Sequence, residues 1–203
     1  KKIYNSIFYW FFFSIENKFI SAMIFYILLA LISAASRSKK KKTDVPYWKD
    51  INSVAINKEE PRASFVSYND VTTALTYDFS QSPYCINLNG QWKFLYFDYP
   101  AQIPDDVTDK DVDLTNWTDI TVPGAWETQG YGIAMYTNVQ YDFNPSDPRP
   151  PALPDYVPTG IYRRTINVPQ EWLSRDIFLQ IGAAKTGLYV YVNGKEVGYS
   201  EDS

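Results

Sequence analysis

The chain has 203 residues, enough for one domain of ordinary size with its own core plus an N-terminal extension. Its formal net charge of -4 gives no basis for nucleic-acid binding as the main function. Histidine is absent and Cys85 is the single cysteine, which excludes histidine-dependent nucleophile systems, an ordinary His-bearing zinc site and an internal disulfide.

From Ile3 to Ala35 the chain is rich in Phe, Ile, Leu and Tyr. The part from Phe19 to Ala35 follows Lys18 and ends in small residues, Ser33-Ala34-Ala35-Ser36, which reads as a secretory signal peptide cleaved near Ala35 and implies a secreted or periplasmic protein. Lys39 to Lys42 come directly after it, where positive charge opposes export. Two alternatives stay open: an uncleaved anchor in contact with a membrane, or sequence upstream of a start at Met23 in a cytoplasmic protein. Residues 1–42 are thus expected to be an apolar leader or anchor with a basic linker, and residues 43–87 a polar, extended arm lying over a neighbouring domain.

The folded domain is expected over 88–203. Leu88-Asn-Gly-Gln-Trp-Lys-Phe94 is a turn followed by the alternation of Trp92, Phe94 and Tyr96 with Lys93, Leu95 and Phe97. Strands are then predicted at Ile120 to Val122, Tyr162 to Val168, Ile177 to Ile181, Leu188 to Val192 and Glu196 to Tyr199. The last two form a hairpin, because Asn193-Gly194 supplies the two positive-φ positions of a type I′ turn. With no long segment of helical period, the pattern predicts an all-β fold, an antiparallel β-sandwich. Pro145, Pro148, Pro150, Pro151, Pro154 and Pro158 crowd the stretch from Asn144 to Gly160, and proline cannot donate to a central ladder, so an exposed, extended loop is expected there.

Several side chains invite a chemical reading. Asn138 offers both an acceptor and a donor, the pair needed to read hydroxyls that give and accept hydrogen bonds, although a loop Asn also serves as a turn residue. Asp202 follows the hairpin and reads, on its own, as a solvated carboxylate; Glu201 beside it is assigned to the surface. Glu127 has no second carboxylate marked as its partner for paired acid/base work, so no catalytic residue is assigned in this chain. Asp109-x-Asp111-x-Asp113 imitates an EF-hand start, but Leu114 and Ile120 occupy the positions that need Gly and Glu, which leaves a solvated loop. Asn116-Trp117-Thr118 fits an N-glycosylation acceptor, a motif short enough to arise by chance.

Tyr136-Thr-Asn138 within Gly132 to Val139, and Gly198-Tyr-Ser-Glu-Asp-Ser203, resemble the N-terminal sugar-binding jelly-roll (galactose-binding-like) domain of glycoside hydrolase family 2, of the lac-type β-galactosidases. Trp48-Lys-Asp-Ile-Asn52 with Pro61-Arg62 is similar to that family's arm, and Pro158-Thr-Gly-Ile-Tyr162 to its Pro-x-Gly-x-Tyr element. Pro123-Gly-Ala-Trp-Glu127 is similar to its Val-Pro-x-Asn-Trp block, with Ala125 where the pattern has Asn. The resemblance implies a retaining β-galactosidase of carbohydrate metabolism whose catalytic glutamates, on a (β/α)₈ barrel, lie beyond Ser203, so that this chain alone would be inactive. It further implies Asn138 and Asp202 as β-galactoside ligands, a sodium ion at Asp202, magnesium in the remainder of the enzyme, and a homo-oligomer. A β-glucuronidase or β-mannosidase type of the same family, or a non-catalytic carbohydrate-binding or adhesion module, are the alternatives. Gly160 is expected to permit a backbone bend, and Tyr162 to enter the core.

Overall fold

The computed structural model describes residues 8–15 (backbone only), 45–61, 63–133 and 156–201. Seven strands build one hydrogen-bonded sheet: β1 (Phe8–Ile15), β2 (Ala55–Ile56), β3 (Gly90–Phe97), β4 (Thr118–Val122), β5 (Thr159–Ile166), β6 (Gly187–Val192) and β7 (Lys195–Ser200), in the order β2-β7-β6-β1-β5-β3-β4. The fold is all-β as expected, and the pairs β2/β7, β6/β7, β3/β5 and β3/β4 are antiparallel. Its longest described α-helix is one turn, Val71–Ala74, started by the Asp70 carboxylate accepting from the Thr73 amide at 2.8 Å.

β1 was not anticipated as a strand. It runs parallel to both β5 and β6, pairing Phe8 with Thr159 and with Gly187, inside the stretch read from sequence as an apolar leader. Its run Phe8-Tyr-Trp-Phe-Phe-Phe-Ser-Ile15 lacks the alternation of a one-sided strand and has the continuous apolar character of a parallel central one. Residues 16–44, which include the predicted signal segment and the lysine run, lie outside the described residues. No helix among the described residues is long and apolar enough to cross a membrane.

Alternation along β3 sends side chains to two apolar faces. Trp92 and Phe94 join Ile120, Trp126, Tyr162, Leu188 and Val190 on one face, while Leu95 and Phe97 pack with Val107, Trp117 and Ile161 on the other. Segments without strands cover both: Trp126, Tyr131, Ile181 and Ala184 close the first cluster, and Ile103, Val107, Val112, Leu114 and Trp117 the second. The β6–β7 hairpin turns at Asn193 (φ 50°) and Gly194 (φ 77°), as the Asn-Gly pair requires.

Several features differ from the sequence expectation. Ile177 to Ile181 forms no strand; no described strand pairs with it, and Ile177, Phe178 and Leu179 are exposed while Ile181 alone packs on the core. β5 begins at Thr159 and ends at Ile166, so the end of the proline-rich stretch is already inside the sheet. Val157, Pro158 and Thr159 are buried there, not exposed, and residues 144–155 lie outside the described residues. Gly160 does not serve a bend. A Cβ at this strand position would lie 2.9 Å from the Phe94 ring and closer still to the Trp126 indole, so its bare backbone is the floor on which the indole rests.

The arm lies on its own sheet. β2 pairs with β7, the Tyr47 ring sits 5.1 Å from Tyr199 and 6.0 Å from Tyr189, and Lys58 Nζ donates to Ser200 Oγ at 2.9 Å. Further along, Trp172 Nε1 donates to the Pro83 carbonyl at 3.0 Å and Arg175 covers the Tyr84 ring.

Candidate functional site

Register places several loop roots at one end of the sheet. Thr159, which opens β5, is opposite Phe97, which closes β3, and opposite Phe8; Phe8 is opposite Gly187, which opens β6, and Leu188 is opposite Ser200, which closes β7. The segment entering β5 and the segment leaving β7 therefore meet the same rim, three strand steps apart, roughly 14 Å.

Aromatic side chains organise the first root. Phe94, Tyr96 and Trp126 belong to one packed set, with Tyr131 edge-on to Phe94 at 4.7 Å and Trp126 edge-on to Tyr96 at 5.6 Å. The Tyr96 hydroxyl is 2.8 Å from the Tyr156 hydroxyl and lies against Gly132, whose φ of 65° suits a residue without Cβ. Tyr131 and Thr118 share a hydroxyl hydrogen bond of 2.6 Å, and the Val157 amide donates to the Asp98 carbonyl at 3.3 Å. Gly132 and Tyr156, on either side of the segment that carries Asn138, are thus held by one tyrosine. Burial, reinforced by the bond to Tyr156, pushes the Tyr96 phenol well above its ordinary value.

The second root is fixed at β7. Tyr199 is buried and its hydroxyl donates to Glu201 Oε1 at 2.6 Å, while the Glu201 amide donates to the Val54 carbonyl at 3.0 Å. Glu201 is therefore half-buried and doubly tethered, which corrects its assignment to the open surface. Desolvation first, and then Glu201, hold the Tyr199 phenol far above the tyrosine range.

The two residues singled out as sugar ligands, Asn138 and Asp202, lie outside the described residues; the segments beside them are what the structure describes. Asp202 with its expected sodium is in the same position. Among the described residues there is no group of three or more His, Cys, Asp or Glu able to hold a metal. The Asp109-x-Asp111-x-Asp113 stretch behaves as the solvated loop expected: Asp113 Oδ1 accepts from the Thr115 amide and hydroxyl at 2.9 and 2.6 Å, and exposed Asp111 pairs with Lys110.

Glu127 lies in the single 3₁₀ turn Trp126–Gln129, where Trp126 is the buried residue. In that turn Gln129 does what the sequence did not reveal. Its amide accepts from the Thr121 amide at 2.8 Å and donates to the Thr121 carbonyl at 3.0 Å, extending the outer edge of β4 with a side chain. For Tyr96, Tyr156 and Tyr199, the available signal was a tyrosine where packing alone would accept phenylalanine, since a buried hydroxyl needs a partner.

The structure defines an all-β domain with a packed aromatic cluster at one end of its sheet, and comparison with known proteins makes that class specific. The family model for the glycosyl hydrolases family 2 sugar binding domain matches residues 85–203, and the chain belongs to that family. The β-galactosidase of Psychromonas ingrahamii is 40% identical over 116 residues, covering 57% of this chain and 11% of that enzyme. That of Photobacterium profundum is 34% identical over 156 residues, 77% of this chain and 15% of the enzyme. The β-galactosidase of Halalkalibacterium halodurans is 33% identical over 168 residues, 81% of this chain and 16% of the enzyme. The chain thus spans less than a fifth of the length of these relatives.

Proposed function

We propose that the chain is the sugar-binding N-terminal part of a retaining β-galactosidase, with Asn138 and Asp202 reading the galactose hydroxyls. The observation that supports it most directly is the match of residues 85–203 to the family's sugar-binding domain, together with β-galactosidases as relatives across the arm as well. The shared rim of the two roots fits the same reading, since one ligand about the size of a hexose needs groups that converge.

The chemistry of such an enzyme is a double displacement in which one glutamate protonates the leaving oxygen and the other forms a galactosyl ester that water resolves. Those carboxylates belong to the rest of the polypeptide. This chain's contribution is positioning: the Asn138 amide donates to and accepts from hydroxyls, and the Asp202 carboxylate accepts from them. A carboxylate oxygen is also the donor type a hard cation prefers, so sodium at Asp202 is chemically reasonable, with magnesium elsewhere in the enzyme. Homo-oligomerisation belongs to the same proposal; export with cleavage near Ala35 does not, because it would remove β1 from between β5 and β6. The test is release of nitrophenol from a nitrophenyl β-galactoside. The complete polypeptide hydrolyses it and the purified 203-residue chain does not exceed a heat-killed control; an inactive complete polypeptide, or an active 203-residue chain, refutes the reading.

A further inference from the structure

The apolar N-terminal run has no part in the proposed sugar site, yet it occupies the middle of the sheet. β1 pairs with β5 from Phe8 to Ile15 and with β6 from Phe8 to Phe13, parallel on both sides, in a sheet whose other described pairs are antiparallel. In the strand order β2-β7-β6-β1-β5-β3-β4 it is, among the described residues, the one ladder link between β2-β7-β6 and β5-β3-β4. Tyr162, Leu188 and Val190 pack those halves together without pairing them. An empty seat would leave the facing N–H and C=O rows of β5 and β6 unpaired.

The signal-like segment, Phe19 to Ala35, lies in the sequence between β1 and the arm. The arm is bound to the same sheet as β1, through β2 on β7 and through Tyr47 against Tyr189 and Tyr199. A segment that crosses a bilayer once has its two ends on opposite sides of a hydrocarbon core about 30 Å thick. Two ends that belong to one sheet lie on one side. The run Phe8–Ile15 is uncharged and eight residues long, too short for a helical span of about 20 residues and of ordinary length for a central strand.

We propose that β1 pairing and membrane translocation are mutually exclusive fates of the N-terminal segment, a retention switch built into the fold. With residues 8–15 seated between β5 and β6, the domain stays on the side of the membrane where it folded and keeps its N-terminal segment. With the seat empty, the segment acts as a leader, and an exported domain lacks this ladder. The switch is independent of which sugar the rim reads.

The experiment expresses the 203-residue chain in a bacterial host and reads its cell fraction, its intact mass and, in a Cys85→Ser background, cross-linking of Phe13→Cys to its register partner Val192→Cys. The chain should be cytosolic and uncleaved, and the pair should link on mild oxidation. Trp10→Cys with Val192→Cys, out of register, should not link. Phe11→Pro with Phe12→Pro removes one N–H donor from each of the two ladders of β1 and leaves Phe19 to Ala35 unchanged. Its processed, membrane and periplasmic share should rise several-fold over the parent's, as should that of a chain beginning at Lys18, which keeps the leader and lacks β1. Pulse labelling reads processing before either variant is degraded. The proposal is overturned by a parent chain that is exported or cleaved near Ala35, by failure of the in-register pair to link, or by equal shares in the parent and both variants.

Discussion

Adding one methyl group at Gly160 tests the packing of the whole rim. The new Cβ would be 2.9 Å from Phe94 Cε2 and 2.6 Å from Trp126 Cε3, both atoms of rings in side chains that are essentially unexposed. Neither ring is the free end of a flexible side chain, so relief requires the indole to move, and the indole also packs edge-on against Tyr96. Overpacking of this kind costs about 1–3 kcal/mol, and in a chain of this length each kcal/mol lowers the melting temperature by roughly 2–4 °C. Gly160→Ala should therefore unfold earlier by circular dichroism, in heat and in urea, with an unchanged urea slope. Trp126→Phe in the same background should recover part of the loss, since the smaller ring retreats from the new methyl, and a double-mutant cycle should show coupling between the two positions. A Gly160→Ala chain within about 0.5 kcal/mol of the parent, the range of an inert surface change, would show that the indole does not rest on this backbone.

Three further outcomes follow from the same structure. Gln129→Leu removes both bonds to the Thr121 backbone and should cost about 1–3 kcal/mol by urea denaturation; full stability in that variant would mean water caps the β4 edge equally well. The phenols of Tyr96, Tyr189, Tyr191 and Tyr199 are all raised, chiefly by burial, so the folded chain keeps protons that the unfolded chain loses. Stability present below the ordinary tyrosine value of about 10 should accordingly fall as pH rises above it, and spectrophotometric titration should show these tyrosines ionising only with unfolding; free ionisation in the folded chain would contradict their burial. Under the proposed function, hydrolysis of a nitrophenyl galactoside by the purified 203-residue chain is expected to be nil.

What the sequence made legible depended on how many partners each feature needed. The β6–β7 hairpin was readable because alternation and an Asn-Gly turn are local. The β3 strand and its two faces were readable for the same reason. β1 was not, because an unbroken apolar run has no face and reads as leader or central strand alike. Ile177 to Ile181 has strand character without a described partner, and composition does not reveal partners. Gly160 looked like a hinge because its reason for lacking a side chain is a tryptophan 34 residues earlier in the chain. Glu201 looked like surface because its tethers, Tyr199 and Val54, come from a buried ring and a distant arm. Asn138 and Asp202 are singled out by resemblance, and both lie outside the described residues; a solvated loop is the ordinary reading of an Asn in a loop or an Asp after a hairpin.

The central claim, that the segments rooted at this rim supply galactoside ligands, is tested most directly by steady-state kinetics of the complete enzyme carrying Asn138→Ala or Asp202→Ala, with Asp111→Ala as the control. Each of the first two removes a hydrogen-bonding group from a sugar hydroxyl, worth about 1–3 kcal/mol or roughly one to two decades in kcat/KM, with part of the loss in KM because the contacts read the sugar and not the bond. Asp111→Ala, at an exposed residue that pairs with Lys110 on the surface, should stay near the parent. Asn138→Ala and Asp202→Ala within about twofold of the parent, or no further impaired than Asp111→Ala, would place the galactose pocket elsewhere.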